Sequence, residues 1–329
     1  MPNIARAFAL LGLAALTTCG SPPPSALDLY HQDQIRQGKV APPAEAAGTC
    51  EPIAIARLPI DIRSGLLTVP VSINGQQLRM IVDSGAERTT ISEAASGRLN
   101  LPRDMARIHT ATGIGGSVIG ADGVVADFTL GNVRLPPVDR VAIGRFGFNT
   151  DLADGLLGAD ILLAFDLDID VPGKALTLYR VRRCLNNYPP WQEPFLAIDG
   201  VTQQKDRLLI PFSLDGVPGR AILDTGAAVS TIGVRMAQRM GLTNEKMSLD
   251  RQVVVLGAGA GSVTARYHWF RELRVGPATI QGLMLTVLPI DAGVSDGLIG
   301  EDFLEGRRVW LSFPTRQVFV SKLSHEIRK

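Results

Sequence analysis

The chain carries almost no excess charge of either sign. Its 33 Lys and Arg face 32 Asp and Glu, for a formal net charge of +1. So even a balance gives nucleic acid or a strongly acidic ligand no electrostatic reason to bind, and nucleic acid is excluded as an expected partner. Histidine is scarce: His31, His109, His268 and His325 are the four. No His/Cys cluster forms a zinc signature, so neither a metal nor another cofactor is expected. The one clearly apolar N-terminal run, Ala7 to Leu16, falls short of the roughly 20 residues that a bilayer-spanning helix needs. Aromatic residues make up only 5%, whereas Gly (34) and Pro (21) are plentiful. Short apolar runs broken by turn residues favour a mostly β class. At 329 residues the chain is long enough for two domains of about 150 residues each.

Arg6, the short apolar run and the small residues before Cys19 read as a secretory signal over residues 1–18. Leu16-Thr17-Thr18-Cys19 resembles a bacterial lipobox, in which the Cys is acylated after cleavage, although Thr18 departs from its usual Gly, Ala or Ser. An ordinary signal with an incidental Cys is the other reading. With lipidation, Ser21 after Gly20 resembles outer-membrane sorting, which implies a periplasm-facing envelope location and a lipid anchor. Residues 19–49, rich in Pro, Ala and Gln, read as a flexible tether or as a propeptide. Export would leave Cys50 and Cys184 as an even pair in an oxidising compartment. A disulfide between them would close a loop of more than 130 residues, worth about 4–5 kcal/mol by chain entropy. The alternative is two buried thiols.

The remainder repeats itself. Leu67 to Gly75, then Leu78-Arg79-Met80-Ile81-Val82-Asp83-Ser84-Gly85-Ala86, is answered by Leu209 to Gly216, then Arg220-Ala221-Ile222-Leu223-Asp224-Thr225-Gly226-Ala227. Asp83 and Asp224 stand 141 residues apart, as do Gly75 and Gly216. Gly155-Leu156-Leu157-Gly158-Ala159-Asp160 is answered at an interval of 142 by Gly297-Leu298-Ile299-Gly300-Glu301-Asp302. A repeat this long means two related lobes rather than a solenoid. In the first copy, alternating Leu67, Val69, Val71 and Ile73 predict a strand that turns at Asn74-Gly75. A second strand delivers the Asp, a short helix follows over Glu93–Leu99, and a Gly-rich hairpin spans Thr112–Gly116. The predicted order is a first lobe over 50–185, a linker over 186–200 and a second lobe over 201–329.

Three motifs in order now carry a resemblance. They are Asp83-Ser84-Gly85-Ala86 after an apolar strand, Gly113-Ile114-Gly115-Gly116, and Leu156-Leu157-Gly158. The second copy has Asp224-Thr225-Gly226-Ala227, the divergent run Gly257 to Gly261, and Leu298-Ile299-Gly300. Together they resemble retropepsin-like aspartic proteases, fused as two repeats in the bilobal arrangement of pepsin-like enzymes. The resemblance implies two β-barrel lobes and an Asp83–Asp224 dyad that activates water to hydrolyse peptide bonds of exported proteins or peptides. It further implies support of the active-site loops by Ser84, Gly85, Ala86, Thr225, Gly226 and Ala227, and a flap at Gly113, Ile114, Gly115 and Gly116. The partner is then an extended peptide, bound by a monomer that needs no second chain. The rival reading is a catalytically inactive peptide-binding envelope protein with the same fold.

Other motifs compete. Gly293-Val294-Ser295-Asp296-Gly297 matches a nucleophile elbow, but the matching stretch of the first copy has no Ser, and no His falls in a triad setting. The run from Gly257 to Ser262 lacks dinucleotide-loop spacing and leads into a predicted strand, not a helix. Asp160 and Asp302 are expected to start helices by accepting backbone N–H bonds. Asp166, Asp168 and Asp170 alternate as the solvated face of a strand would.

Overall fold

The computed structural model describes residues 51–135, 138–146, 151–182, 189–257, 259, 261–289 and 295–322. Cys19, Cys50 and Cys184, and with them the lipidation and disulfide expectations, lie outside these residues, as does the tether. Within them the protein is mostly β-strand with four short helices.

Each repeat opens with a hairpin whose inward residues form a core. Strand Leu66–Ile73 pairs antiparallel with Gln76–Val82, and Leu67, Val69, Val71 and Ile73 are all at most 1% exposed. The turn takes left-handed backbone at Asn74 (φ 51°) and Gly75 (φ 77°), the pair of positive φ values that matches strand twist. In the second repeat Arg207–Leu214 pairs with Val217–Leu223 across Asp215 (φ 48°) and Gly216 (φ 83°). Asn74 Oδ1 accepts the N–H groups of Ala126 and Asp127, and Asp215 Oδ1 accepts those of Arg271 and Glu272. One polar turn residue therefore pins the same crossing strand in both lobes.

The first lobe is built on a ten-stranded sheet and the second on an eight-stranded one. In the second, Arg207–Leu214 also pairs with the 14-residue strand Ser262–Val275, closing the sheet on itself. A third, six-stranded sheet is shared by the two repeats. Its order is Glu51–Pro59, Ala175–Arg182, Asp166–Asp170, Arg308–Ser312, Gln317–Ser321 and Phe195–Ala197. The seam between the repeats is the antiparallel pair Asp166–Asp170 with Arg308–Ser312.

Two sequence expectations change here. Asp166 and Asp168 are not on a solvated face but buried at this seam. Asp168 accepts two bonds from the Arg308 guanidinium, from Nε at 2.8 Å and Nη2 at 2.6 Å. Burial pushes Asp166 up to about 7, against a weaker opposing bond from Ser312. Alternation marks a face without saying what covers it. The segment read as a linker also contains a strand, Phe195–Ala197, paired with Gln317–Ser321. Trp191 from the same segment packs with Trp310 and Phe319.

Candidate active site

The aspartates of the two repeated motifs sit at the ends of strands, just where the repeats face one another. Gly155–Leu157 runs parallel to Gln76–Val82 and places the Leu157 carbonyl to accept the Asp83 N–H at 3.0 Å. Gly297–Ile299 does the same for Asp224, with Ile299 accepting its N–H at 2.9 Å. The apolar-apolar-Gly motifs are thus the strands that set the height of the two aspartates.

The hydroxyls that follow lock the loops together. Thr225 Oγ1 donates to the Val82 carbonyl at 2.7 Å and accepts the Ser84 N–H at 3.1 Å. Ser84 Oγ donates to the Leu223 carbonyl at 2.7 Å and accepts the Thr225 N–H at 3.1 Å. Both side chains are at most 2% exposed, so each of these four bonds satisfies a group that water does not reach. Next to them, a Cβ on Gly85 would stand 2.5 Å from Asp224 Cγ, and one on Gly226 would stand 2.3 Å from Asp83 Cγ. Only glycine lets each loop lie against the opposite carboxyl.

Asp83 is buried and Asp224 half-buried. Asp83 Oδ1 accepts the N–H groups of Gly85 (3.0 Å) and Ala86 (2.8 Å), and Asp224 Oδ1 accepts that of Gly226 (2.9 Å). Burial first, and then the charge of Asp224, raises Asp83 far above the usual carboxylate range. Burial also raises Asp224, opposed by the Gly226 N–H, the bond with Asp83 and the Arg207 charge. Two carboxyls in such contact cannot both ionise, so one proton belongs to the pair. Chemically this gives one base and one acid at one point.

Asp160 and Asp302 stand in the first turns of the helices Ala159–Leu162 and Glu301–Leu304, whose N-caps are Gly158 and Gly300. Each accepts a backbone N–H there, Asp160 that of Ile161 and Asp302 Oδ1 that of Phe303 at 2.9 Å. In addition, Asp160 Oδ1 accepts both the N–H and the hydroxyl of Thr89 at 2.7 Å, while Thr89 Oγ1 accepts the Gly158 N–H at 3.0 Å. Asp302, Ser230 and Gly300 repeat this arrangement. Each carboxylate ties the chain leaving the active-site loop to the strand beneath it.

The flap expectation is also amended. Strands Arg103–Gly113 and Gly116–Val124 form a long hairpin with Gly113, Ile114, Gly115 and Gly116 at its tip. A matching hairpin, Arg251–Leu256 with Ser262–Val275, rises from the second lobe, and the tips bond to each other. Gly259 N–H donates to the Ile114 carbonyl at 3.2 Å and Gly261 N–H to the Gly115 carbonyl at 3.0 Å. Gly257, Gly259 and Gly261 therefore belong to the site region. Their repeat position signalled it, but the divergent spelling hid it. Arg207 was missed too. From the second lobe its Nε donates to the Gly85 carbonyl at 2.8 Å, and its Nη2 lies 3.3 Å from Glu87.

Among the described residues the competing serine site does not assemble. Ser295 is buried, while the two described histidines lie on the hairpins, His109 Nδ1 at 3.0 Å from Asp122 and His268 Nδ1 at 2.6 Å from Asp250. Among the described residues no three His, Cys, Asp or Glu side chains converge as metal ligands would.

Comparison with known proteins agrees with this geometry. The family model described as Aspartyl protease matches twice, over residues 69–161 and 210–303. No curated protein matches the chain. Two matches that together cover more than half of the sequence, each containing one aspartate loop, place the chain in the retropepsin-like aspartyl protease family as a two-repeat member.

Proposed function

We propose that the protein is an aspartic endopeptidase whose catalytic groups are Asp83 and Asp224. The observation that carries this reading is the contact between the two buried carboxyls across the repeats, which like-charge repulsion makes share one proton. The ionised member takes a proton from a water molecule as the water oxygen bonds to the scissile carbonyl carbon. The protonated member donates to the carbonyl oxygen. Collapse of the tetrahedral species breaks the C–N bond and sends a proton to the leaving amine, with no covalent enzyme intermediate. An extended peptide fits under the paired hairpins, bound by strand-like backbone bonds with alternate side chains in pockets. The N-terminal segment, with Cys19, supports an exported, lipid-anchored enzyme acting on exported proteins or peptides, and the fusion of both lobes in one chain supports a monomer. Retention of a fatty-acid label by Cys19→Ala would remove the anchor from this reading.

The test is cleavage of a diverse peptide library across pH by wild type, Asp83→Asn and Asp224→Asn, with and without a pepstatin-type inhibitor. Cleavage by wild type that both substitutions abolish is the expected result. Undiminished cleavage by either variant would overturn the dyad. Stable peptide binding without turnover by folded wild type would favour the inactive peptide-binding alternative.

A further inference from the structure

The pairing registers put an equivalent residue beside each aspartate. Thr68 pairs with Ile81, and Leu209 with Ile222. Continued along the same registers, Leu66 stands opposite Asp83 and Arg207 opposite Asp224. Residues directly opposite in such a pair have Cβ atoms about 4.5–5.5 Å apart. Leu66 packs against the apolar cluster of Ile81, Ala153 and Leu156, and its side chain has neither a donor nor a charge to offer the facing loop. Arg207 has both.

The donor is used across the repeats. Arg207 Nε donates to the Gly85 carbonyl at 2.8 Å, and Gly85 is the residue whose Cβ would stand 2.5 Å from Asp224 Cγ. The guanidinium is thus stationed beside the Asp224 carboxyl twice over, by the strand that carries it and by the loop that it holds. Its side chain is 24% exposed, so water screens it less than a surface cation. Glu87 Oε1 lies 3.3 Å from both Arg207 Nη2 and Lys205 Nζ, so it is shared between two cations. The other titratable groups around Arg207 are Asp206, its neighbour in the chain, and Glu301 and Asp302 of the helix Glu301–Leu304. Burial keeps Glu301 protonated. Asp302, bonded to Ser230, has its equal beside Asp83 in Asp160, bonded to Thr89. Burial raises both catalytic aspartates, and two backbone N–H groups oppose it at each, those of Ala86 and Gly85 at Asp83 and those of Gly226 and Gly85 at Asp224. The backbone therefore treats the pair alike. The Arg207 charge does not, since it favours ionised Asp224, whose own charge then adds to burial in raising Asp83.

We propose that Arg207 is the positioning residue that assigns the two roles of the dyad: it keeps the negative charge on Asp224, the base, and so leaves the proton on Asp83, the acid. The roles rest on the peptidase reading; the location of the charge does not. Asp224 takes a proton from water as the water oxygen bonds to the carbonyl carbon, and Asp83 gives its proton to the carbonyl oxygen. On collapse Asp83 recovers that proton as the C=O bond re-forms. The C–N bond breaks, Asp224 passes its proton to the leaving nitrogen, and both carboxyls end as they began. Fusion of the lobes makes this division possible, because the position opposite Asp83 is free to hold leucine.

The test titrates each carboxyl alone, by NMR of the full-length protein labelled with carbon-13 at its aspartate carboxyls. Asp83→Asn leaves Asp224, and Asp224→Asn leaves Asp83; each is identified as the signal lost when both are replaced. With Asp83→Asn, adding Arg207→Leu, which installs the residue of the first lobe, should raise the Asp224 midpoint by about one pH unit, a tenfold change in ionisation, as loss of an adjacent opposite charge requires. Arg207→Gln keeps an N–H for Gly85 without the charge; it should act as Arg207→Leu does and replaces it should that variant fold poorly. Arg207→Lys keeps the charge without the planar fork and should leave the midpoint near its original value. With Asp224→Asn, Arg207→Leu should move the Asp83 midpoint by less than half as much. An unmoved Asp224 midpoint, equal movement of both aspartates, or Arg207→Lys matching Arg207→Leu would overturn the proposal. With both aspartates present, the acid limb of kcat/KM should move to higher pH in Arg207→Leu and Arg207→Gln, and an unmoved limb would overturn the assignment of Asp224 as base. Absence of any cleavage would sink the peptidase reading, while the titrations would still decide whether Arg207 holds the charge on Asp224.

Discussion

The two lobes agree where the aspartates are held and differ in what surrounds them. Ser84 and Thr225 exchange equivalent bonds, and the Thr89–Asp160 brace is repeated as Ser230–Asp302. Around this shared frame the lobes carry charge in different places, and Glu87 and Arg88 of the first stand where the second has Ala228 and Val229. Arg207 stands where the first copy has Leu66, and Glu301 where it has Ala159. Both additions act on the Asp224 side. The Arg207 charge favours ionised Asp224. Burial, then the charges of Asp224 and Asp302, pushes Glu301 up to about 9. A fused chain can vary one half alone, so its dyad need not be electrically symmetric as two identical chains would make it.

The strongest way to break this comparison is at the dyad. Asp83→Asn and Asp224→Asn should each lower kcat/KM by about 10²–10⁴-fold or more, the range of positioned acid–base groups. A markedly smaller loss for one variant would show that a single carboxyl carries the reaction.

Glu301 comes next. Its folded-state pKa lies above the unfolded one. As pH rises from about 4.5 towards 9, the unfolded chain releases a proton that the folded chain keeps, and stability falls. Glu301→Gln should remove that loss, by roughly 2–4 kcal/mol at pH 8, and its denaturation curve should differ far less from wild type below pH 4. Placing a carboxyl in the first lobe with Ala159→Glu should add a similar loss. Unchanged pH dependence in both variants would refute the account of a buried, protonated Glu301.

The loop bonds give a smaller effect. Thr225→Ala should cost about 1–3 kcal/mol in chemical denaturation, because it leaves the buried Ser84 N–H without its partner. Thr225→Ser should restore most of this. Ser84→Ala with Thr225→Ala should be less than additive, since the two residues bond to each other.

Smallest is the seam. Asp166 is pushed up to about 7, so it too loses stability as pH rises from about 4 to 7. Asp166→Asn should gain about 1–2 kcal/mol above pH 7 and converge on wild type in acid. A pH-independent difference would place the effect in packing instead.

Much of this frame was legible in the sequence because it is local or repeated. Asn74-Gly75 specifies its hairpin through two positive φ values, and two copies of Asp-Ser/Thr-Gly-Ala identify the facing loops. Position in the chain pointed to the hairpin around Gly257–Gly261, but not to its bonds with Ile114 and Gly115. Asp160 showed an acidic residue at a helix start, not the Thr89 it would hold.

The sequence by itself determined the repeat, the mostly β class and the pair of aspartates, since turn chemistry, alternation and motif order are properties of neighbours along the chain. Tertiary structure alone decided that Asp166 and Asp168 are buried against Arg308–Ser312, that the hairpins meet at their tips, and that Arg207 reaches the Gly85 carbonyl. Those outcomes depend on which surfaces two folded lobes bring together. Burial and charge at a residue are set by partners more than 100 positions away, at the seam and at Arg207 alike, and no local pattern encodes them.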